Sequence, residues 1–509
     1  MGDVLKELQA SILRVQRELR TELAWHCGIA ELPDEVLLEI ITLARVEIEE
    51  DPEPDPDPEP GSRHCRPQYT DLYKLASVCR RFRDIIFSNA AFWTHLDNMQ
   101  NPITIDIALQ RSRGANLSLT VDSDPDSSMK FLLKMQRHFS KVSSLELVFI
   151  DSTFHRLGDW QSIRDVLATI EMSDLPALER FTLRAPPPHG LHGPELFDYY
   201  DPPLQIDDDM YHVYAKGNFP CMKHLELVDM SPQAHSALSL TSIDLALARH
   251  WPRKPLTRLV SFLTSQPSLE TIQLKIASMP IEDGFTWKGL DIHLPMLRTL
   301  NVRASNDTCE VESHVFDAPL IIRSLIMPAI KRIDLELTVK ENGTFSMDSV
   351  FAPSRDYSSV EQLRFKLELH LPFKLQFSPF KSLFARFPNL KSLEVSFADS
   401  TLDGEIPLFS VHPPPPLEKF ILEECTFIDA QSLQAILGYL RHGKEWDSFL
   451  KLTISHCPQI TSAEIDQIVN EKILPRSKIC LLHIDTPPVD WCYRCRRRES
   501  APCLVNTMT

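Results

Sequence analysis

Pro388-Asn-Leu390-Lys-Ser-Leu393-Glu-Val395 is the clearest copy of a pattern that recurs along the C-terminal part of the chain. A proline stands two residues before an apolar residue, and further apolar residues follow it by three and five places, so positions 1, 4 and 6 of each unit are apolar. The alternation at its end, Leu393-Glu-Val395, is that of a strand with one buried face. The proline pushes the residue before it out of the helical region and so ends any preceding helix.

Outward from this copy, the proline recurs in Pro176-Ala-Leu178, Pro220-Cys-Met222, Pro267-Ser-Leu269, Pro295-Met-Leu297 and Pro328-Ala-Ile330. The apolar triplets run Leu178/Phe181/Leu183, Met222/Leu225/Leu227, Leu269/Ile272/Leu274, Leu297/Leu300/Val302, Ile330/Ile333/Leu335, Val360/Leu363/Phe365, Leu390/Leu393/Val395, Leu417/Phe420/Leu422, Phe449/Leu452/Ile454 and Ile479/Leu482/Ile484. From Leu269 the starts lie 28, 33, 30, 30, 27, 32 and 30 residues apart; between Val142 and Met222 the steps are 36 and 44, and register there is open. One unit cannot bury its own apolar face, so neighbours must stack. The period and the Leu-x-x-Leu-x-Leu core resemble leucine-rich repeats. Cys425 with Ile428, and Cys457 with Ile460, stand at positions 9 and 12 of their units and resemble the cysteine-containing subtype. The resemblance implies a curved parallel sheet over 177–490, with helices such as 256–265 and 381–386 outside it, preceded by a linker and irregular first repeats at 98–176.

The N-terminal part follows another rule. Ile29-Ala-Glu-Leu32-Pro33-Asp34-Glu35-Val36-Leu37-Leu38-Glu39-Ile40-Ile41 begins like a helix, with Pro33 suited to the first turn and Asp34 and Glu35 adding favourable negative charge. A second helix carries apolar residues at 72, 75, 78, 79, 82, 85 and 86, and Phe92-Trp93-Thr-His-Leu96 closes the stretch. Helices this short and this apolar over so wide an arc need cover from something else.

These residues resemble the F-box: the Leu32-Pro33 opening, Leu75 through Arg81 and the late Trp93 each match. The resemblance implies a small all-α domain over 28–97 that binds the Skp-family adaptor of a cullin–RING ubiquitin ligase and, through it, the cullin. Carried onto this chain, it makes Leu32, Pro33, Val36, Leu37, Ile40, Leu75, Val78, Cys79 and Phe82 the contact residues, with Trp93 supporting them from beneath. The layout, with Arg111-Ser-Arg113 after the F-box, is similar to F-box proteins of basidiomycete fungi. It departs from the family at an insert over 45–70. There Glu47 through Glu59 hold eight carboxylates and no base, and Asp51 to Pro60 alternates acid with proline. Such a run suits neither helix nor strand; extended, it spans about 31 Å at ~3.1 Å per residue.

Before this domain, Leu5, Leu8, Ile12, Val15, Leu19 and Leu23 form a heptad-like seam over 1–27, fit for a coiled coil or for folding back on the F-box. A net charge of −17, to which the insert contributes eight negatives, argues against nucleic acid as a partner. No run of 18 apolar residues or signal-peptide core is present, and eleven cysteines lack framework spacing. Cys27, Cys79, Cys425 and Cys457 read as reduced core thiols, and the compartment as cytosol or nucleus. The polar, aromatic segment 185–216 interrupts the repeats, and 491–509 is a basic tail whose Cys492, Cys495 and Cys503 lack the ligands for a closed zinc site. No Gly-rich phosphate loop, Gly-x-Ser-x-Gly elbow or His-Glu-x-x-His is found. The sequence therefore reads as a substrate-recognition subunit with no enzymatic activity, metal or cofactor. It would hold an unidentified target at strand positions such as Glu226, Asp334 and Glu394. The alternative is an adaptor-bound scaffold without a ligase role.

Overall fold

The computed structural model describes residues 14–15, 32–50, 68–122, 125–149, 165–184, 219–228, 232, 239–247, 255–277, 290–305, 318–339, 344–345, 347–352, 355, 357–376, 379–403, 413–426, 428–443, 446–470 and 474–482. The N-terminal seam apart from Arg14 and Val15, the whole of 185–216 and the whole tail 491–509 lie outside them. The chain divides into two compact units, Met1–Asp122 and Ser123–Thr509.

The first unit holds α1 (Asp34–Glu50), α2 (Gln68–Val78), α3 (Arg80–Ser88), a 3₁₀ turn at Ala90–Trp93, β1 (His95–Asp97), α4 (Pro102–Arg111) and β2 (Leu117–Asp122). β1 and β2 pair in parallel, Leu96 opposite Leu119. Pro33 stands one place before α1, and its carbonyl accepts from the Leu37 N–H at 3.1 Å. α1 runs on through 45–50, so the insert is shorter than its composition suggested; Pro52 is the first residue able to stop the helix. Residues 51–67, with the acid–proline run, lie outside the described residues.

The single second helix expected over 72–87 is in fact two. Cys79 is extended (φ −154°, ψ 170°) and caps α3, its Sγ accepting from the Phe82 N–H at 3.4 Å. A local side-chain acceptor thus satisfies a backbone donor that an unbroken helix would have bonded internally. Trp93 is the hub of the unit. Fully buried, it stacks on Tyr69 at 5.2 Å, and the Arg111 guanidinium lies 4.4 Å over its ring and 4.0 Å over that of Phe87.

The second unit contains β3 (Val142–Val148), β4 (Arg180–Arg184), β5 (His224–Val228), β6 (Ser242–Leu247), β7 (Thr271–Ala277), β8 (Ile292–His293), β9 (Thr299–Ser305), β10 (Leu325–Ile326), β11 (Arg332–Val339), β12 (Thr344–Phe345), β13 (Gln362–Gln376), β14 (Ser392–Asp403), β15 (Lys419–Glu423), β16 (Lys451–Ser455) and β17 (Ile479–Leu482). Between them come α5 (Pro125–Met135), α6 (Pro255–Thr264), α7 (Ala318–Ser324), α8 (Met347–Val350), α9 (Pro379–Arg386), α10 (Ala430–Arg441) and α11 (Ser462–Asn470). The sheet is parallel and follows sequence order from β3 to β17, with β8 and β10 paired separately and β12 set against the far part of β13. The stretch 98–176, read from sequence as a linker and irregular first repeats, holds α4, β2, α5 and β3, shared between the two units.

Register explains the apolar triplets. Position-4 residues stand opposite one another in a continuous line: Leu145, Phe181, Leu225, Ile243, Ile272, Leu300, Ile333, Leu363, Leu393, Phe420, Leu452 and Ile479. All but Ile479 are at most 2% exposed. Neighbouring strands lie about 4.8 Å apart, so each of these side chains covers the next. The line also settles the early units, whose 36- and 44-residue steps end on strands in the same register.

Two units differ from the sequence reading. β6 is an additional unit, Leu240/Ile243/Leu245, all fully buried. It begins only 18 residues after Met222 and lacks the Pro-x-apolar opening, so neither marker revealed it. In β17 the partner of Leu452 is Ile479 and that of Ile454 is Leu481, which puts Ile479 at position 4 rather than position 1. The alternation Ile479-Cys-Leu481 fits a strand equally well in either register.

The helices close the other side of the core through one stripe each, as in α10, where Leu433, Ile436, Leu437 and Leu440 are buried. Asp429 caps that helix, accepting from the Ser432 N–H at 2.8 Å. Cys425 and Cys457 are buried free thiols whose Sγ atoms donate to the carbonyls of Val395 (3.5 Å) and Leu422 (3.8 Å) in the neighbouring units. The residue before each, Glu424 (φ 51°) and His456 (φ 52°), is left-handed, turning the chain off its strand.

Candidate functional site

The residues that the F-box resemblance singled out fall into two sets. Leu37, Phe82 and Trp93 are buried, at 1%, 9% and 0% exposure, and are core residues of the first unit. Leu37 and Phe82, which the resemblance marked as contact residues, thus lie within the unit; α1 turns Leu37 and Ile41, one turn apart, inward together. Val36, Ile40 and Val78 are exposed, as is Pro33, while Leu32, Leu75 and Cys79 are half-buried. Leu43 extends the exposed stripe of α1 at the same helical spacing, 36, 40, 43, and sequence reading missed it although the period marks it. Tyr73, on α2, is also exposed.

The apolar demand of this unit is thus divided. Leu37, Ile41, Leu72, Ala76, Phe82, Ile86 and Trp93 close its core, and Val36, Ile40, Leu43 and Val78 are left over on the outside. Val36, Ile40 and Leu43 thus form one exposed apolar stripe along α1.

The position-5 side chains of the parallel sheet form the second candidate surface. Glu146, Thr182, Glu226, Asp244, Gln273, Asn301, Asp334, Arg364 and Glu394 stand side by side in register, and the line continues as Ile421, Thr453 and Cys480. The three carboxylates named above as target-holding positions, Glu226, Asp334 and Glu394, are tied to neighbouring strands. Glu226 takes Arg184 at 3.0 Å and Thr182 Oγ1 at 3.3 Å, and Arg184 also reaches Glu146 at 3.5 Å. Glu394 accepts from Arg364 Nε at 2.7 Å. Asp334 is only 9% exposed and lies 3.8 and 3.9 Å from Arg332 and Arg364. Burial raises its carboxyl pKa above the ordinary value, against the opposing pull of Arg364, Arg332 and Arg303. The strand spacing causes this, since it leaves each position-5 side chain within reach of the next. From composition alone these positions look like an ordinary charged surface.

Among the described residues no helix is long and apolar enough to cross a membrane, and no group of three or more His, Cys, Asp and Glu is placed to hold a metal ion. Cys27, Cys492, Cys495 and Cys503 lie outside the described residues.

The helical unit defines the class. The family model described as F-box-like matches residues 29–99, so this stretch is an F-box-like domain, followed in the chain by a long parallel sheet. No curated protein matches the chain.

Proposed function

We propose that this chain is the substrate-recognition subunit of a Skp adaptor–cullin–F-box ubiquitin ligase. The supporting observation is the exposed apolar row Val36, Ile40 and Leu43, with Val78, on an F-box-like domain whose own core is already closed. The adaptor covers this row and links the chain to the cullin. The second unit is a leucine-rich-repeat-like domain, and its outward strand face, carrying Glu226, Asp334 and Glu394, receives the target protein. No side chain of this chain takes part in chemistry. Holding the target beside the charged ubiquitin carrier makes transfer effectively intramolecular, and the rate gain is one of proximity.

The test is co-purification of the full chain with a Skp-family adaptor and a cullin. Wild type carries both, and a Val36→Asp, Val78→Asp double variant carries neither while melting as wild type does. Retention of both by the folded double variant would refute the assignment. Recovery of the adaptor without a cullin would favour the scaffold reading.

A further inference from the structure

Arg81 sits where its own helix does not favour it. α3 opens Arg80-Arg81 with no acidic residue in its first turn, so both cations face the positive end of the helix dipole. A local rule broken in this way calls for a compensating contact. The Arg81 side chain supplies one by reaching the start of α1. Its Nε donates to Asp34 Oδ1 at 2.7 Å, and its Nη2 lies 2.5 Å from the same oxygen and donates to the Leu32 carbonyl at 2.5 Å. These partners are 47 and 49 residues away in sequence, across the acid–proline run. Asp34, the first-turn acid of α1, thereby also offsets the charge of the Arg81 guanidinium. The planar guanidinium fork can hold a carboxylate and a main-chain carbonyl together, which a lysine ammonium, a point charge on a flexible stem, does less well.

We propose that Arg81 is a positioning residue for the adaptor-binding edge: it clamps Leu32-Pro33 and the first turn of α1, and with them Val36 and Ile40, in the placement that the adaptor takes up. This rests on the F-box reading above. The Asp34 side chain is 65% exposed, and such ion pairs add little to global stability. The clamp acts by preorganisation, sparing the adaptor the ordering of a loose edge.

The test uses the full chain in two arms. In the free protein, Arg81→Ala should speed amide hydrogen exchange over residues 37–41 by about fivefold or more with the melting temperature held, as a local opening requires. With the purified adaptor it should weaken binding by about tenfold or more, and Arg81→Lys should recover only part of that loss. Unchanged exchange in Arg81→Ala would overturn the clamp. Faster exchange with unchanged affinity would overturn its role in binding, and full recovery by lysine would overturn the fork. Loss of affinity in step with a fallen melting temperature would make Arg81 merely structural, and so also overturn the proposal. Failure of the wild type to bind the adaptor would instead strike the F-box reading, and the exchange arm would still decide the clamp.

Discussion

The indole N–H of Trp93 donates to the main-chain carbonyl of Ile86 at 2.9 Å, and both side chains are fully buried. That bond ties the 3₁₀ turn to α3 and seats the ring against Tyr69, Phe87 and Arg111. Trp93 is therefore an internal support of the first unit. Trp93→Ala should destabilise the first unit by about 3–5 kcal/mol, the usual range for emptying such a site. Denaturant unfolding followed by tyrosine and tryptophan fluorescence checks this; a loss below about 1 kcal/mol would contradict the burial.

Leu393 pairs with Leu363 on one side and Phe420 on the other, at the middle of the position-4 line. Leu393→Asp would place an unpaired carboxylate at a fully buried position, at a cost of about 3 kcal/mol or more. Circular dichroism and thermal melting should show a destabilised repeat domain. An unchanged melting curve would overturn the register.

Asp334 behaves differently from an ordinary surface acid. Its folded-state pKa is raised by burial, so its neutral form favours folding, and that contribution is lost as pH rises through the folded pKa. Asp334→Asn should thus leave stability unchanged or raise it at neutral pH. Asp334→Lys would set a buried cation beside Arg332 and Arg364 and should destabilise by about 2 kcal/mol or more. Melting temperatures of the two variants at pH 7 decide it. A charge reversal here is therefore unsuitable for mapping target binding without a check of the fold.

Glu361 has the opposite sign. It accepts from Lys331 at 2.8 Å and Lys391 at 3.0 Å, and these hydrogen bonds hold its pKa down at about 2. Its contribution to stability is fully present above the ordinary carboxylate value and is lost as pH falls from about 4.5 toward 2. The melting difference between wild type and Glu361→Gln should be visible at pH 6 and should shrink through that window. A difference that persists below it would rule out the ion-pair account.

Much of the second unit was legible because its signal is long-range and repetitive. Proline at 388 and leucine at 390 and 393 recur at a near-constant step, and only stacking buries that pattern. Illegible were the features set by a single local choice. Cys79 breaks a helix that composition would continue, and β6 comes too soon for the period to announce it. In the first unit the sequence marked apolar residues but could not say which face of α1 they occupy. Leu37 and Val36 are neighbours of equal apolarity, and only packing against α3 decides that one is core and the other is offered outward. On the strands, composition marked Asp334 and Glu394 as charged, while their mutual ties through Arg364 needed the register.

Titration of the full chain with a purified Skp-family adaptor, by calorimetry, bears most directly on the whole account. The wild type should bind one adaptor per chain. Val36→Asp with Val78→Asp should weaken that binding by at least about thirtyfold, the loss of anchors worth ~2 kcal/mol or more together, while melting as wild type does. Absence of binding by the wild type, or undiminished binding by the double variant, would contradict it.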